Sequence, residues 1–310
     1  MKSRFSTTPF PDLFQAALLE FVGTTFFLIL GLGGIQSAAA LRYASGEPMG
    51  SSIEQTLYIS TCMGLSLLVS AWMFYRVTGA LFNPNISLAL LIVGVIDPAR
   101  FVMYCIAQML GAIAASGIVV GLSNAPLAVN TALTDTTYAK GVFIEMFITA
   151  ALVMAVLMLA AEKHEATPFA PIGIGLTLFA AHLWAVYQTG AAMNVARAFG
   201  PAVVTGFPDS GHWVYWIGDL LGSLLGAGFY ALLKHYKYWR INPGQDASDH
   251  RQSPTDPVEK AKESLNNVLS NNSGESPREG SGSGTRASPD EQEGMGRALY
   301  PERRPGESMV

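Results

Sequence analysis

Two asparagines sit in matching surroundings, Asn83 within "TGALFNPNISLAL" (78–90) and Asn194 within "TGAAMNVARAFGPAVV" (189–204), and both stretches are otherwise largely apolar. A carboxamide donates and accepts hydrogen bonds, so in a region short of water it needs partners or a wet cavity. Arg197 follows three residues after Asn194 and carries a guanidinium into the same apolar setting. An arginine so placed is costly and usually functional, as a donor to a passing solute and a fixed positive charge; the plainer alternative is a brace for a loop carbonyl. This is the chemistry of recognition and exclusion. The sequence offers no pairing of nucleophile with base, no clustered metal ligands and no phosphate-cradling glycine loop, so no enzyme, cofactor or metal site is expected.

The elements that must position these groups are membrane spans. Half of the 310 residues are apolar, only 14% are charged, and the mean hydropathy is +0.31, values rare in a soluble chain of this length. Six stretches are long and apolar enough to cross a hydrocarbon core of roughly 30 Å. They lie near 14–40, 56–76, 100–122, 141–161, 168–188 and 212–233. The opening "MKSRFSTTPFPDLFQ" leads straight into a first span too long for a cleavable signal core. Cys62 and Cys105 both fall inside spans and read as small buried apolar residues.

Six crossings put Lys2, Arg4, Arg76, Arg100, Lys163, Lys234, Lys237 and Arg240 on one side and Arg42 and Lys140 on the other. The excess of basic residues marks the cytoplasmic side, so both termini are expected there. The charge-poor membrane part gives no footing for a nucleic-acid partner.

Two further apolar segments, about 83–95 and 194–205, are too short to cross. Each follows a "TGA" turn and opens on an Asn able to cap a helix, so both read as half-helices. Irregular backbone at membrane depth is tolerated only when buried in protein or lining a watery cavity, so a cavity is implied. The chain also repeats: Glu20 and then "TGALFNPN" in one half (about 14–122), Glu145 and then "TGAAMNVA" in the other (about 141–233). Three spans per half is an odd number, so the halves must enter the membrane with opposite polarity, and the half-helices should meet tip to tip. Helix starts carry unpaired N–H groups and about half a positive charge, so two facing starts create a positive zone that orients water and opposes cations. The alternative for either asparagine alone is an ordinary N-cap in a buried helix pair.

These residues resemble the aquaporin, or major intrinsic protein, family. The resemblance covers nearly all of 12–235: an acid in the first and fourth spans, "TGA" before each Asn, "NVARAFGPA", and "AQMLGA" in the third span. It implies an all-α membrane fold of six transmembrane helices and two re-entrant half-helices in an inverted 3+3 repeat, one pore per subunit, and a homotetramer. The family's usual motif is Asn-Pro-Ala twice; this chain has Asn83-Pro84-Asn85 and Asn194-Val195-Ala196. Proline at a first helical position has no orphan N–H, so Val195 restores a donor that needs a partner or water. Asn85 brings a bulkier polar group to where a small residue lets the tips touch.

By the same resemblance, four positions form a selectivity constriction toward the outer mouth: Met63, His182, Ala191 and Arg197. His182 read alone is more often a buried packing residue than a site, and the alternative for Met63 is lipid or core packing. His with Arg implies a narrow, polar, water-selective ring. Glycerol-conducting relatives typically place a small residue at the His position and an Asp directly after the Arg, whereas here Ala198 follows. Met63 stands where an aromatic is common, so hydrogen peroxide or other small neutral solutes remain an alternative cargo.

Glu20 and Glu145 are buried acids that must be paired, hydrogen-bonded or protonated. Coupled proton transport is one use, and would make the protein a secondary transporter; the resemblance implies anchorage of the re-entrant loops. Asp219 has no functional account beyond a hydrogen bond to a neighbour. A non-conducting structural membrane protein is the remaining alternative. The channel is expected over 14–240, after a short cytoplasmic N-terminus (1–13) and before a tail (241–310) whose composition cannot fold independently. Within the tail "TDPVEKAKESLNNVL" is expected to form a short helix capped by Asp256, with Pro257 in its first turn. Ser253, Ser276 and Ser288 each precede Pro and are candidate phosphorylation sites, although such dipeptides are common in tails of this kind.

Overall fold

The computed structural model describes residues 8–45, 53–241 and 255–272, and among them every regular element is helical. Six helices are long and apolar enough to cross a membrane. These are α1 (Phe10–Ser45), α2 (Ile53–Thr78), α4 (Pro98–Leu122), α5 (Tyr138–Val156, continued by a π turn, Leu157–Ala161), α6 (Ala170–Thr189) and α8 (Trp213–His235). Between them lie the two short helices α3 (Pro84–Ile92) and α7 (Val195–Thr205). At 1.5 Å per residue these are roughly 14 and 17 Å long, so each reaches about halfway through a hydrocarbon core.

The packing repeats between the halves. α1 lies against α2 and α4, and α5 lies correspondingly against α6 and α8, while α2 and α6 face each other across the repeat. The half-helices are exchanged: α3 packs on α8 as well as α4, and α7 packs on α4. A small residue makes the α2–α6 crossing possible, because a Cβ on Gly64 would stand 3.0 Å from the Gly175 carbonyl oxygen and one on Gly175 would stand 2.8 Å from that of Gly64. In a bilayer, close backbone approach of this kind takes over from the hydrophobic effect as the source of helix association.

Outward faces of the spans carry exposed Phe, Leu, Ile, Val and Trp, as lipid-facing surfaces require. At the C-terminal end of α8 a buried ion pair joins Lys234 Nζ to Glu162 Oε1 at 2.8 Å, and Tyr230 donates its hydroxyl to the same oxygen at 2.8 Å.

Among the described residues, those up to Ser264 belong to one compact unit and those from Leu265 onward to a second. The tail helix α9 is Pro257–Asn272, with Asp256 Oδ1 accepting the Val258 N–H at 2.8 Å as its cap. Ser253, Ser276 and Ser288 lie outside the described residues.

Candidate functional site

Each half-helix is delivered by a loop whose backbone turns its N–H groups inward. After Thr78 the chain passes through Gly79 (φ +94°), Ala80 (φ +53°) and Phe82 (φ +51°); after Thr189 it passes through Gly190 (φ +79°), Ala191 (φ +51°) and Met193 (φ +50°). Left-handed backbone at non-glycine residues costs of order 1–3 kcal/mol each and persists only where the surroundings over-determine it. Here the determinant is a carboxylate. Glu20 accepts from Thr78 Oγ1 (2.5 Å), Leu81 N (3.1 Å), Phe82 N (2.9 Å) and Gln108 Nε2 (3.0 Å). Glu145 accepts from Thr189 Oγ1 (2.6 Å), Ala192 N (3.0 Å) and Met193 N (2.9 Å). Both acids are fully buried, and every bond they accept comes from the loop they anchor or from a helix beside it.

A buried tyrosine closes each loop from the other side. Tyr104 donates to the Thr78 carbonyl at 3.2 Å, and Tyr215 to the Thr189 carbonyl at 2.8 Å. Sequence reasoning passed over this pair. Four residues after each tyrosine stands the next matched position, Gln108 in α4 and Asp219 in α8. Gln108 donates to Glu20; Asp219 lies beside Glu145 and accepts from Thr149 Oγ1 at 3.2 Å. Asp219 thus occupies the place of Gln108 in the repeat, which is an account the sequence alone did not give.

The loops bring the two asparagines together. Asn83 caps α3 and Asn194 caps α7, each with extended backbone. Asn83 Oδ1 accepts from Asn85 N at 2.8 Å, and Asn194 Oδ1 accepts from Ala196 N at 3.0 Å and Arg197 N at 3.3 Å. The amide nitrogens reach across the repeat: Asn83 Nδ2 donates to the Met193 carbonyl (2.7 Å) and Asn194 Nδ2 to the Phe82 carbonyl (2.9 Å). Those bonds use one hydrogen of each NH2 group and leave the second for the cavity that both residues line.

The altered motif positions meet at this point. Pro84 is the first residue of α3 and Val195 the first of α7. Val195 N–H donates to Asn85 Oδ1 at 3.0 Å, and Ser223 Oγ stands 3.0 Å from the Asn85 carbonyl oxygen. Ala196 is fully buried behind them.

The cavity has a volume of about 490 Å³ and reaches from Met63 and Arg197, past Asn83 and Asn194, to a mouth that includes Arg100, Lys163 and Thr255. At the mouth Lys163 Nζ donates to the Ala160 carbonyl at 2.8 Å, and partial burial lowers its ammonium from the ordinary lysine value. Lys260 Nζ, in the first turn of α9, donates to the Gly94 carbonyl at 2.8 Å.

At the other end Arg197 is 2% exposed and spends one nitrogen on the Val129 carbonyl (Nη1 to O, 3.0 Å), while its Nε has no protein partner. The brace and the free donor therefore coexist in one side chain. His182 is fully buried, with Nδ1 2.9 Å from the Leu178 carbonyl and Nε2 without a protein partner. A carbonyl only accepts, so Nδ1 carries a proton, and in a neutral ring Nε2 is then an acceptor. His182 and Ala191 stand outside the residues lining the cavity; Met63, whose sulfur packs where a Gly31 side chain would be, is among them.

The sequence profile described as "Major intrinsic protein" matches residues 7–230. Aquaporin-1 of Laccaria bicolor is 71% identical over 244 residues, 78% of each chain. Aquaporin-7 of Botryotinia fuckeliana is 46% identical over 240 residues, 76% of this chain and 52% of that protein. The solved structure of the aquaglyceroporin from Plasmodium falciparum superposes with a TM-score of 0.60 at 18% identity, covering 74% of this chain and 98% of that one, which is a likeness of fold.

Proposed function

The chain belongs to the major intrinsic protein family, whose members are membrane channels and not enzymes, and from that premise we propose that it passes water down an osmotic gradient while excluding protons and ions. One observation carries this reading. Two amides, each tied by one hydrogen to the opposite half, hold their second hydrogen toward a common cavity at the start of two facing helices. A water in that place turns its oxygen toward both donors and cannot accept a proton from one side while donating to the next water in line.

We assign the pore midplane to Asn83 and Asn194 and the selectivity constriction to Met63, His182, Ala191 and Arg197. A neutral His182 supplies an acceptor and Arg197 a donor, each without a protein partner. An acceptor and a donor suit a molecule that both donates and accepts, while a cation meets the fixed charge of Arg197. Glu20 and Glu145 serve as loop anchors, a role that their hydrogen bonds to the loop backbone support. The excess of basic residues supports a cytoplasmic position for both termini, and we assign the membrane channel to 14–240 and a homotetramer in the bilayer as its assembly.

A second reading, favoured by Met63 where an aromatic is common, is passage of hydrogen peroxide or another small neutral solute through the same pore. Stopped-flow light scattering on proteoliposomes separates these. The first requires osmotic shrinkage well above that of empty vesicles, with a lowered activation energy and an intact pH gradient. Uptake of peroxide or glycerol at a comparable rate favours the second, and solute flux that depends on an ion gradient defeats both.

A further inference from the structure

We propose that Asn85 and Val195 form a matched interlock that holds the two half-helix tips in register, with Asn85 as a positioning residue for proton exclusion; this rests on the channel reading above. At the first position of α3 stands Pro84, which has no N–H, whereas the matched first position of α7 is Val195, which has one. At the next position the asymmetry reverses: Asn85 supplies a side-chain acceptor where α7 has Ala196. The extra donor and the extra acceptor meet at 3.0 Å, joining residues 110 apart in sequence.

Asn85 is held on three sides. Its own N–H donates to Asn83 Oδ1 (2.8 Å), its side chain takes the Val195 N–H, and its carbonyl lies 3.0 Å from the Ser223 hydroxyl of α8, which it shares with the Asp219 carbonyl at 2.9 Å. A shift of Asn85 therefore moves the N–H donor that aims the Asn83 side chain through its Oδ1, and Asn83 Nδ2 in turn holds the carbonyl of Met193, next to Asn194. The interlock also takes the Val195 N–H out of circulation. A helix tip with an unpaired N–H in a buried polar place recruits water. A second water beside the single file would give protons a way around the amides. Departure at one position alone would break the midplane; departure at both preserves it.

The test is a cycle of Asn85→Ala, Val195→Pro and the double variant in proteoliposomes, with water permeability and proton leak normalised to inserted protein. Each single variant should lower water permeability severalfold and raise proton leak severalfold, because one leaves a buried donor and the other a buried acceptor without a partner. The double variant should return both readouts toward wild type, since proline asks for no partner and alanine offers none. Single variants that match wild type in both readouts, or a double variant that shows the sum of the two losses, overturn the proposal. Wild-type protein supplies an independent readout: the Val195 amide should be protected from hydrogen exchange by NMR in lipid nanodiscs, and exchange at the rate of a free amide overturns the interlock even if the variants fail to insert. If wild-type vesicles shrink no faster than empty ones, the channel reading falls, and the Val195 exchange rate still decides the interlock.

Discussion

Arg197 donates from Nη1 to the carbonyl of Val129 at 3.0 Å, and that single bond decides where the rest of the guanidinium lies. Val129 sits 1% exposed in the segment between α4 and α5, so a loop from one end of the fold fixes the orientation of a charge carried by a half-helix. The Nε of the same guanidinium is buried without a protein partner. Under the proposed channel function, the brace orients the side chain to which selectivity is assigned.

Replacing Arg197 with valine should remove the fixed charge while leaving α7 in place. A unit charge about 4 Å from a passing cation at an effective dielectric near 20 contributes about 4 kcal/mol to its barrier. Ion and proton flux should therefore rise, by up to about a thousandfold, with water permeability changed far less, in vesicles monitored with a pH-sensitive dye. Unchanged exclusion would remove Arg197 from the constriction.

Glu20→Ala should destabilise the first re-entrant loop severely. The carboxylate accepts four hydrogen bonds, and two of their donors are backbone amides of a loop held at positive φ at Ala80 and Phe82. Leaving such donors unpaired costs about 1–3 kcal/mol each, so a loss of about 3 kcal/mol or more is expected. Thermal unfolding in detergent, followed by tryptophan fluorescence, measures it. Glu20→Gln, which keeps one acceptor oxygen, should lose less, and equal losses for the two variants would contradict the anchor role.

Asp219→Asn should be tolerated. Asp219 holds the place in α8 that Gln108 holds in α4, beside the anchoring acid of its own half. An amide supplies the N–H donor that Gln108 supplies to Glu20. Water permeability within about twofold of wild type is the expected result, because the donor survives, whereas Asp219→Leu should lose expression or stability through an unpaired group near Glu145. A large loss for Asp219→Asn would show that the carboxyl itself is required.

The architecture was legible because its signals are local. Span length and the basic bias come from composition, and the half-helices from a "TGA" turn followed by a capping Asn within a few residues. The expected segments 83–95 and 194–205 correspond to helices Pro84–Ile92 and Val195–Thr205. Partners at long range were not legible. Tyr104 and Tyr215 read as ordinary aromatics in apolar spans, since nothing nearby in sequence marks their acceptors 26 residues away at Thr78 and Thr189. Val195 and Asn85 were each visible as a departure, but their pairing depends on two half-helices meeting from opposite leaflets. Val129 left no signal at all, because its backbone carbonyl does the work and any side chain could stand there.

The buried pair of Lys234 and Glu162 offers a last test of how the bundle is closed at its cavity-mouth end. Both side chains are 4% exposed, at 2.8 Å, with Tyr230 donating to the same carboxylate oxygen and Trp239 facing the ammonium at 5.2 Å. Removing one member of such a pair strands a charge in a low-dielectric site, which costs about 3–5 kcal/mol, whereas removing both costs much less and can even stabilise. Lys234→Met should therefore lower the unfolding temperature sharply, because Glu162 keeps only the Tyr230 hydroxyl. Lys234→Met combined with Glu162→Gln should recover most of that loss, since a neutral amide can still accept from Tyr230 and needs no counter-ion. The α5 π turn that ends next to Glu162 contributes Ala160 and Ala161 to the cavity wall, so the same pair also holds the shape of the mouth. The single variant should consequently lose water permeability along with stability, and the double variant should regain both; recovery of stability without permeability would separate the ion pair from the shape of the mouth.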